Sequence, residues 1–183
     1  RPELFRALVL IDPTILPLPV MWLVYLAKQT GLNRYIPIVA RAAKRNGLWP
    51  DQKTLLETYQ TKGMFKTWQK GFLEAYIEDG TQETDDGRVR LSCEPAWESK
   101  CFSVYPHDLW RYIPAIEQPT LVLYGEHSDT FLKSAAKRFQ SKVPHAQVRC
   151  FKNTSHFVPM EKPRETARAI HSFVTANSIN KTG

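Results

Sequence analysis

Only three cysteines, Cys93, Cys101 and Cys150, occur in the 183 residues. An odd number without short paired spacing excludes a disulfide framework and fits a reducing cytoplasm. Cys93, Cys101 and His107 lack the close pairing of ligands that a metal site needs, so no metal is expected. No stretch is of low complexity and none repeats. The net charge is +7, yet no basic cluster is interleaved with aromatic residues, as a single-strand binder would want. The cations instead recur at helical spacing on segments that also carry apolar residues: Arg41, Lys44 and Arg45; Lys62, Lys66 and Lys70; Lys133, Lys137, Arg138 and Lys142. That pattern is a solvated helix face, and no nucleic-acid partner is expected. The one long apolar run, residues 8–27, holds Pro13, Pro17, Pro19 and Asp12. Proline breaks a helix and a carboxylate is costly in hydrocarbon, so no transmembrane segment is expected there.

What is present is the composition of a soluble globular protein, 43% hydrophobic and 23% charged, in a chain long enough for one real core. Residues 5–11 (FRALVLI) form a short apolar run, as in a parallel strand buried on both faces. Residues 20–29, 33–46, 51–63 and 64–79 read as helices, with Asp51 as an N-cap and Gly63 as a stop. Residues 82–93 read as a hairpin turning at Asp86-Gly87, and 95–116 as one or two short helices. From residue 119 the pattern changes. Strand 119–125 (PTLVLYG), helix 130–143, strand 146–152 (AQVRCFK) and helix 163–176, with Pro163 suited to its first turn, alternate as in an α/β layer with a parallel sheet.

Ligands of an open parallel sheet bind beyond the C-terminal ends of its strands. Asp12-Pro13 follows the first predicted strand, Gly125-Glu126-His127-Ser128-Asp129 the second, and Asn153-Thr154-Ser155-His156 the third. Carboxylates and an imidazole at the strand ends of one sheet suit a nucleophile–base–acid relay. In such a relay a neutral histidine takes a proton while a carboxylate fixes its tautomer.

The segments PTLVLYGEHSDTF and NTSHFVPMEKPRETARAIHSFV resemble the acid- and histidine-bearing parts of the α/β-hydrolase family. The resemblance spans the whole chain and is specific over residues 119–174. It implies a C-terminal half: core at 1–13 and 113–183, and a helical cap insertion at 14–112. In the family the triad runs nucleophile, then Asp or Glu, then His along the chain, an order that Asp129 and His156 fit. It implies His156 as general base and acid, Asp129 as the carboxylate that orients it, and no cofactor. Asp12 is the rival acid, because some family members carry it after the earlier strand; as a bland alternative it is a turn residue before Pro13. Asp129 also reads as a helix N-cap. His127 is the rival base and Glu126 a solvent-facing acid, while His107, His145 and His171 have no supporting context.

Neither Gly-x-Ser-x-Gly nor a His-Gly oxyanion motif occurs. The sequence opens at Arg1 close to a strand, so the nucleophile half is expected on a missing N-terminal segment or on another chain, including a self-association partner that completes the sheet. The expected activity is hydrolysis of an ester-like bond in a small apolar substrate. The alternatives are epoxide or carbon–halogen hydrolysis by an Asp nucleophile, or a non-catalytic truncated relative. Tyr25, Tyr35, Tyr59 and Tyr76 are available to polarise an epoxide oxygen. Leu16, Trp22, Phe65, Trp68 and other large apolar groups of residues 14–112 would serve a helical core and line a cleft.

Overall fold

The structure is a computed structural model that describes residues 1–179. The chain forms two compact units, one of residues 1–21 with the chain from 108 onward, the other of residues 22–107. After a short 3-10 turn at Pro2–Leu4 comes strand β1 (Leu8–Ile11), then helix α1 (Leu18–Gln29). The prolines between them keep the 8–27 run from being one helix, and among the described residues no helix is long and apolar enough to cross a membrane.

The unit of residues 22–107 contains α2 (Pro37–Ala43), β2 (Leu48–Trp49), α3 (Gln52–Gln60), α4 (Phe72–Asp79), β3 (Thr81–Glu83), β4 (Val89–Leu91) and α5 (Pro95–Ser103). Two expected helices are shorter than their apolar patterns, each for a local backbone reason. Ile36 precedes proline and is held extended (ψ 126°), so α2 begins at Pro37 rather than at residue 33. Gly71 is left-handed at φ 92°, which ends the preceding turn and starts α4 at Phe72. Asp51 caps α3 as expected, accepting from the Thr54 N–H at 2.6 Å. The hairpin also forms: β4 pairs antiparallel with β3, and Gly87 takes φ 78° in its turn. The two-residue β2, on the other side of β4, is too short for a sequence signal. Leu55, Tyr59, Phe65, Leu73, Ile77 and Leu91 make this unit's core, with Tyr59 stacked on Phe65 at 5.0 Å.

The other unit continues with β5 (Thr120–Gly125), α6 (Lys133–Lys142), β6 (Gln147–Phe151), α7 (Val158–Glu161) and α8 (Pro163–Ile179). Its sheet is parallel, in the order β1-β5-β6, with Ile11 opposite Leu123 and Gly125 opposite Phe151. This is an α/β layer. Alternate residues of β5 face opposite sides: Leu121 and Leu123 pack with Ala169 and Phe173 of α8, while Tyr124 meets Phe131, which in turn meets Phe139 of α6. Leu121, Val122 and Leu123 are fully buried, and each side chain contributes roughly 1.5–3 kcal/mol of burial. The central strand is therefore a rigid base for what lies at its end. β1 is only half-buried, unlike the both-faces burial its apolar run suggests, because it is paired on one side alone among the described residues.

Candidate active site

At the C-terminal end of β1 the ladder continues for one more residue, with the Asp12 N–H donating to Leu123 O at 2.7 Å. Asp12 then turns left-handed, at φ 42°, a conformation that Asp tolerates better than most residues. The turn carries its carboxylate sideways, over the end of β5. There Oδ2 accepts from the Gly125 N–H at 2.9 Å. Oδ1 accepts from the Ser128 hydroxyl at 2.5 Å and the Thr130 hydroxyl at 2.7 Å. The side chain of Asp12 is 1% exposed.

His156 comes to the same point from the end of β6. Its loop is fastened along its whole length. Asn153 is left-handed (φ 53°) and donates its N–H to Glu126 Oε2 at 3.0 Å, while Lys152 pairs with Glu126 Oε1 at 2.7 Å. His127 N–H donates to Thr154 O. Buried Glu161 accepts from Ser155 twice, from its N–H at 2.9 Å and its hydroxyl at 2.5 Å. Gly125 allows this loop to pass close over β5: a Cβ there would lie 2.0 Å from Ser155 O and 2.5 Å from Thr154 O.

The outcome is a contact of 3.1 Å between His156 Nδ1 and Asp12 Oδ1. The Thr130 hydroxyl also reaches Nδ1, at 2.8 Å. Nε2 has no hydrogen-bond partner among the described residues, and the ring is 35% exposed. Hydrogen bonding to Asp12 is the largest influence on the imidazole and raises its pKa above the ordinary value. Burial opposes this, and the charges of Asp12 and Asp129 add to it. Burial is also the largest single influence on Asp12 and pushes its pKa up. The hydrogen bonds from His156, Gly125, Ser128 and Thr130 together outweigh it and leave Asp12 below the usual carboxylate range.

Of the two acids weighed from sequence, the structure brings Asp12 to the histidine and not Asp129, the preferred one. Asp129 is exposed, makes no hydrogen bond to His156, and reaches it only as a nearby charge. The physical reason lies in the loop: it is Ser128 that turns inward, 7% exposed, with its hydroxyl accepting from the Phe131 N–H. Asp129, one residue on, therefore faces out. It does not cap α6 either, whose N-cap is Leu132. Of the other candidates, Glu126 and His127 tie the histidine loop, and His145 Nε2 lies 3.2 Å from Gln118 O. His107 packs on Tyr25, and Tyr59 belongs to the core of the other unit. Ser128, Thr130 and Glu161 were not singled out by sequence. The only signal for Ser128 and Thr130 is their place on the loop after β5, and Glu161 ends α7, just past the histidine loop.

Sequence and structure comparisons agree with this architecture. The profile of the alpha/beta hydrolase family matches residues 2–169. Monoacylglycerol lipase ABHD6 of Mus musculus is 30% identical over 77 residues, which is 41% of this chain and 23% of that protein. Esterase YbfF of Escherichia coli (strain K12) is 28% identical over 90 residues, 49% of this chain and 34% of that protein. In fold, the chain is similar to E-2-(acetamidomethylene)succinate hydrolase, with a TM-score of 0.71 at 21% identity over 95% of this chain and 59% of that one. Against the peroxisomal alpha-beta-hydrolase Lpx1 from Saccharomyces cerevisiae the TM-score is 0.69 at 17% identity, covering 97% of this chain and 48% of that one. The larger part of both curated relatives thus lies outside the matched region. With the profile running over most of its length and a parallel sheet carrying its titratable groups at the strand ends, this chain belongs to the alpha/beta hydrolase family.

Proposed function

We propose that this chain supplies the acid–base pair of an ester hydrolase, with His156 as general base and acid and Asp12 as the carboxylate that orients it. The observation that carries the proposal is the 3.1 Å contact of Asp12 Oδ1 with His156 Nδ1, which leaves Nε2 without a partner among the described residues. A carboxylate on Nδ1 holds the proton there and stabilises the imidazolium, so Nε2 is the free base. Nε2 takes the proton of the attacking nucleophile, returns it to the leaving alkoxide, and then activates the water that releases the acyl group.

The nucleophile and oxyanion hole are proposed to lie outside these 183 residues, because the sequence holds no nucleophile-elbow motif. The half-buried apolar strand β1, paired on one side only among the described residues, supports a further segment beside it. Residues 22–107 are proposed to act as the cap that selects an apolar acyl substrate. The names of the lipase and esterase relatives support ester chemistry over the epoxide or halide alternative. The test is hydrolysis of p-nitrophenyl butyrate. The chain joined to a nucleophile-bearing segment is expected to be active, with His156→Ala and Asp12→Asn both inactive. Turnover by the 183 residues alone, abolished by His156→Ala, would contradict the external nucleophile.

A further inference from the structure

The loop that sequence marked as carrying the acid carries instead a hydroxyl in contact with both members of the pair. Thr130 Oγ1 lies 2.7 Å from Asp12 Oδ1 and 2.8 Å from His156 Nδ1, closer to that nitrogen than the carboxylate oxygen at 3.1 Å. Counting protons decides the direction of each bond. An ionised Asp12 can only accept. Ser128, whose own hydroxyl reaches Oδ1 at 2.5 Å, accepts from the backbone N–H groups of Thr130 and Phe131. The single hydroxyl proton of Thr130 is thus directed at Oδ1, where the acceptor is charged. Its oxygen then faces Nδ1 with only lone pairs to offer, so the proton between them belongs to the imidazole.

We propose that Thr130 is a positioning residue: its hydroxyl accepts the His156 Nδ1–H while donating to Asp12, and so helps to hold the imidazole with Nε2 as the free base. This rests on the Asp12–His156 reading above and deepens it. Donating to a carboxylate polarises the hydroxyl and makes its oxygen the better acceptor. The bridge gives Nδ1–H two acceptors instead of one. Thr130 touches no reacting atom; it acts through the histidine.

The test is an NMR titration of the His156 Cε1–H resonance in the 183-residue chain, comparing wild type with Thr130→Ser, Thr130→Val and Thr130→Ala. An acceptor on Nδ1–H favours the imidazolium more than the neutral ring. Thr130→Val and Thr130→Ala remove this acceptor and also one donor to Asp12. The first effect acts on the imidazole directly, whereas Asp12 keeps its donors from Gly125 and Ser128. The net change expected is a fall in the pKa of His156 of about 0.5, with Thr130→Ser titrating as wild type. A merely structural threonine would lower thermal stability and leave this titration unmoved. A Thr130 acting on Asp12 alone would raise it, since a carboxylate stripped of a donor attracts the imidazolium more strongly. Either result overturns the proposal. Because Val and Ala differ in size, a failure of one to fold leaves the other to decide, and Thr130→Ser controls for the lost methyl group. In the same experiment Asp12→Asn distinguishes the two levels of the account. A lowered His156 pKa there, with no change in the Thr130 variants, removes the bridge and keeps the pair. No change in Asp12→Asn removes the pair itself.

Discussion

Asp12 Oδ1 and His156 Nδ1 are 3.1 Å apart across 144 residues of chain. Asp12 ends an outer strand and His156 follows another outer strand, and they meet over the end of the central one. Two things close the distance: the left-handed turn at Asp12 and the close passage of the histidine loop over Gly125.

The two carboxylates should therefore separate cleanly in kinetics. Asp12→Asn is expected to lower kcat of the nucleophile-completed enzyme by about 1,000–10,000-fold, the loss typical when a triad carboxylate becomes an amide. Asp129→Asn, which removes only an exposed and screened charge, should cost less than about tenfold. Equal losses would contradict the assignment.

The pH dependence follows from the two shifts. Nε2 works as a base only when the ring is neutral, and the pKa of His156 lies above 6.5. The rate kcat/KM is thus expected to rise with pH through a midpoint above 6.5. Stability responds with the opposite sign for this group. A raised histidine pKa contributes stability that is full below 6.5 and is lost as pH rises through the folded value. The lowered pKa of Asp12 contributes stability that is present above 3.8 and is lost as pH falls through its folded value. The contribution of the pair should be greatest between those limits. Thermal melts across pH check this, and Asp12→Asn should flatten the dependence.

Gly125→Ala should be destructive. The added methyl would lie 2.0 Å from Ser155 O and 2.5 Å from Thr154 O, both backbone atoms. The histidine loop must move, which costs about 3 kcal/mol and displaces His156. Gly63→Ala, where nothing lies within 4 Å of the new methyl, is the control and should melt like wild type.

Glu161 should matter to the stability of the histidine loop. Its carboxylate is 6% exposed and accepts from both the N–H and the hydroxyl of Ser155, the residue before the histidine. Glu161→Gln exchanges charge-assisted bonds for neutral ones and should destabilise by about 2 kcal/mol. Chemical denaturation measures this loss.

The sequence carried the α/β layer well because β5 is a short apolar run between Pro119 and Gly125, β6 alternates Val148 and Cys150 with Gln147 and Arg149, and α8 begins on Pro163. The position of His156, after a strand and before an apolar turn, was equally legible. The acid was not. Asp129 and Asp12 both follow strands, and the choice between them depends on which residue of the 126–130 loop turns inward. That is set by Ser128, whose hydroxyl satisfies the Phe131 N–H, and no hydrophobic period reports it. The early starts expected for α2 and α4 failed for a related reason. An apolar pattern runs smoothly through Ile36 and Gly71, while the backbone there does not.

The most direct measurement of the central claim is the pKa of His156, followed by NMR, in Asp12→Asn and Asp129→Asn side by side. Asp12→Asn is expected to bring it down from its raised value to 6.5 or below, since the largest cause of the shift is gone, while Asp129→Asn leaves it nearly unchanged. A large fall in Asp129→Asn with none in Asp12→Asn would contradict the pairing of Asp12 with His156.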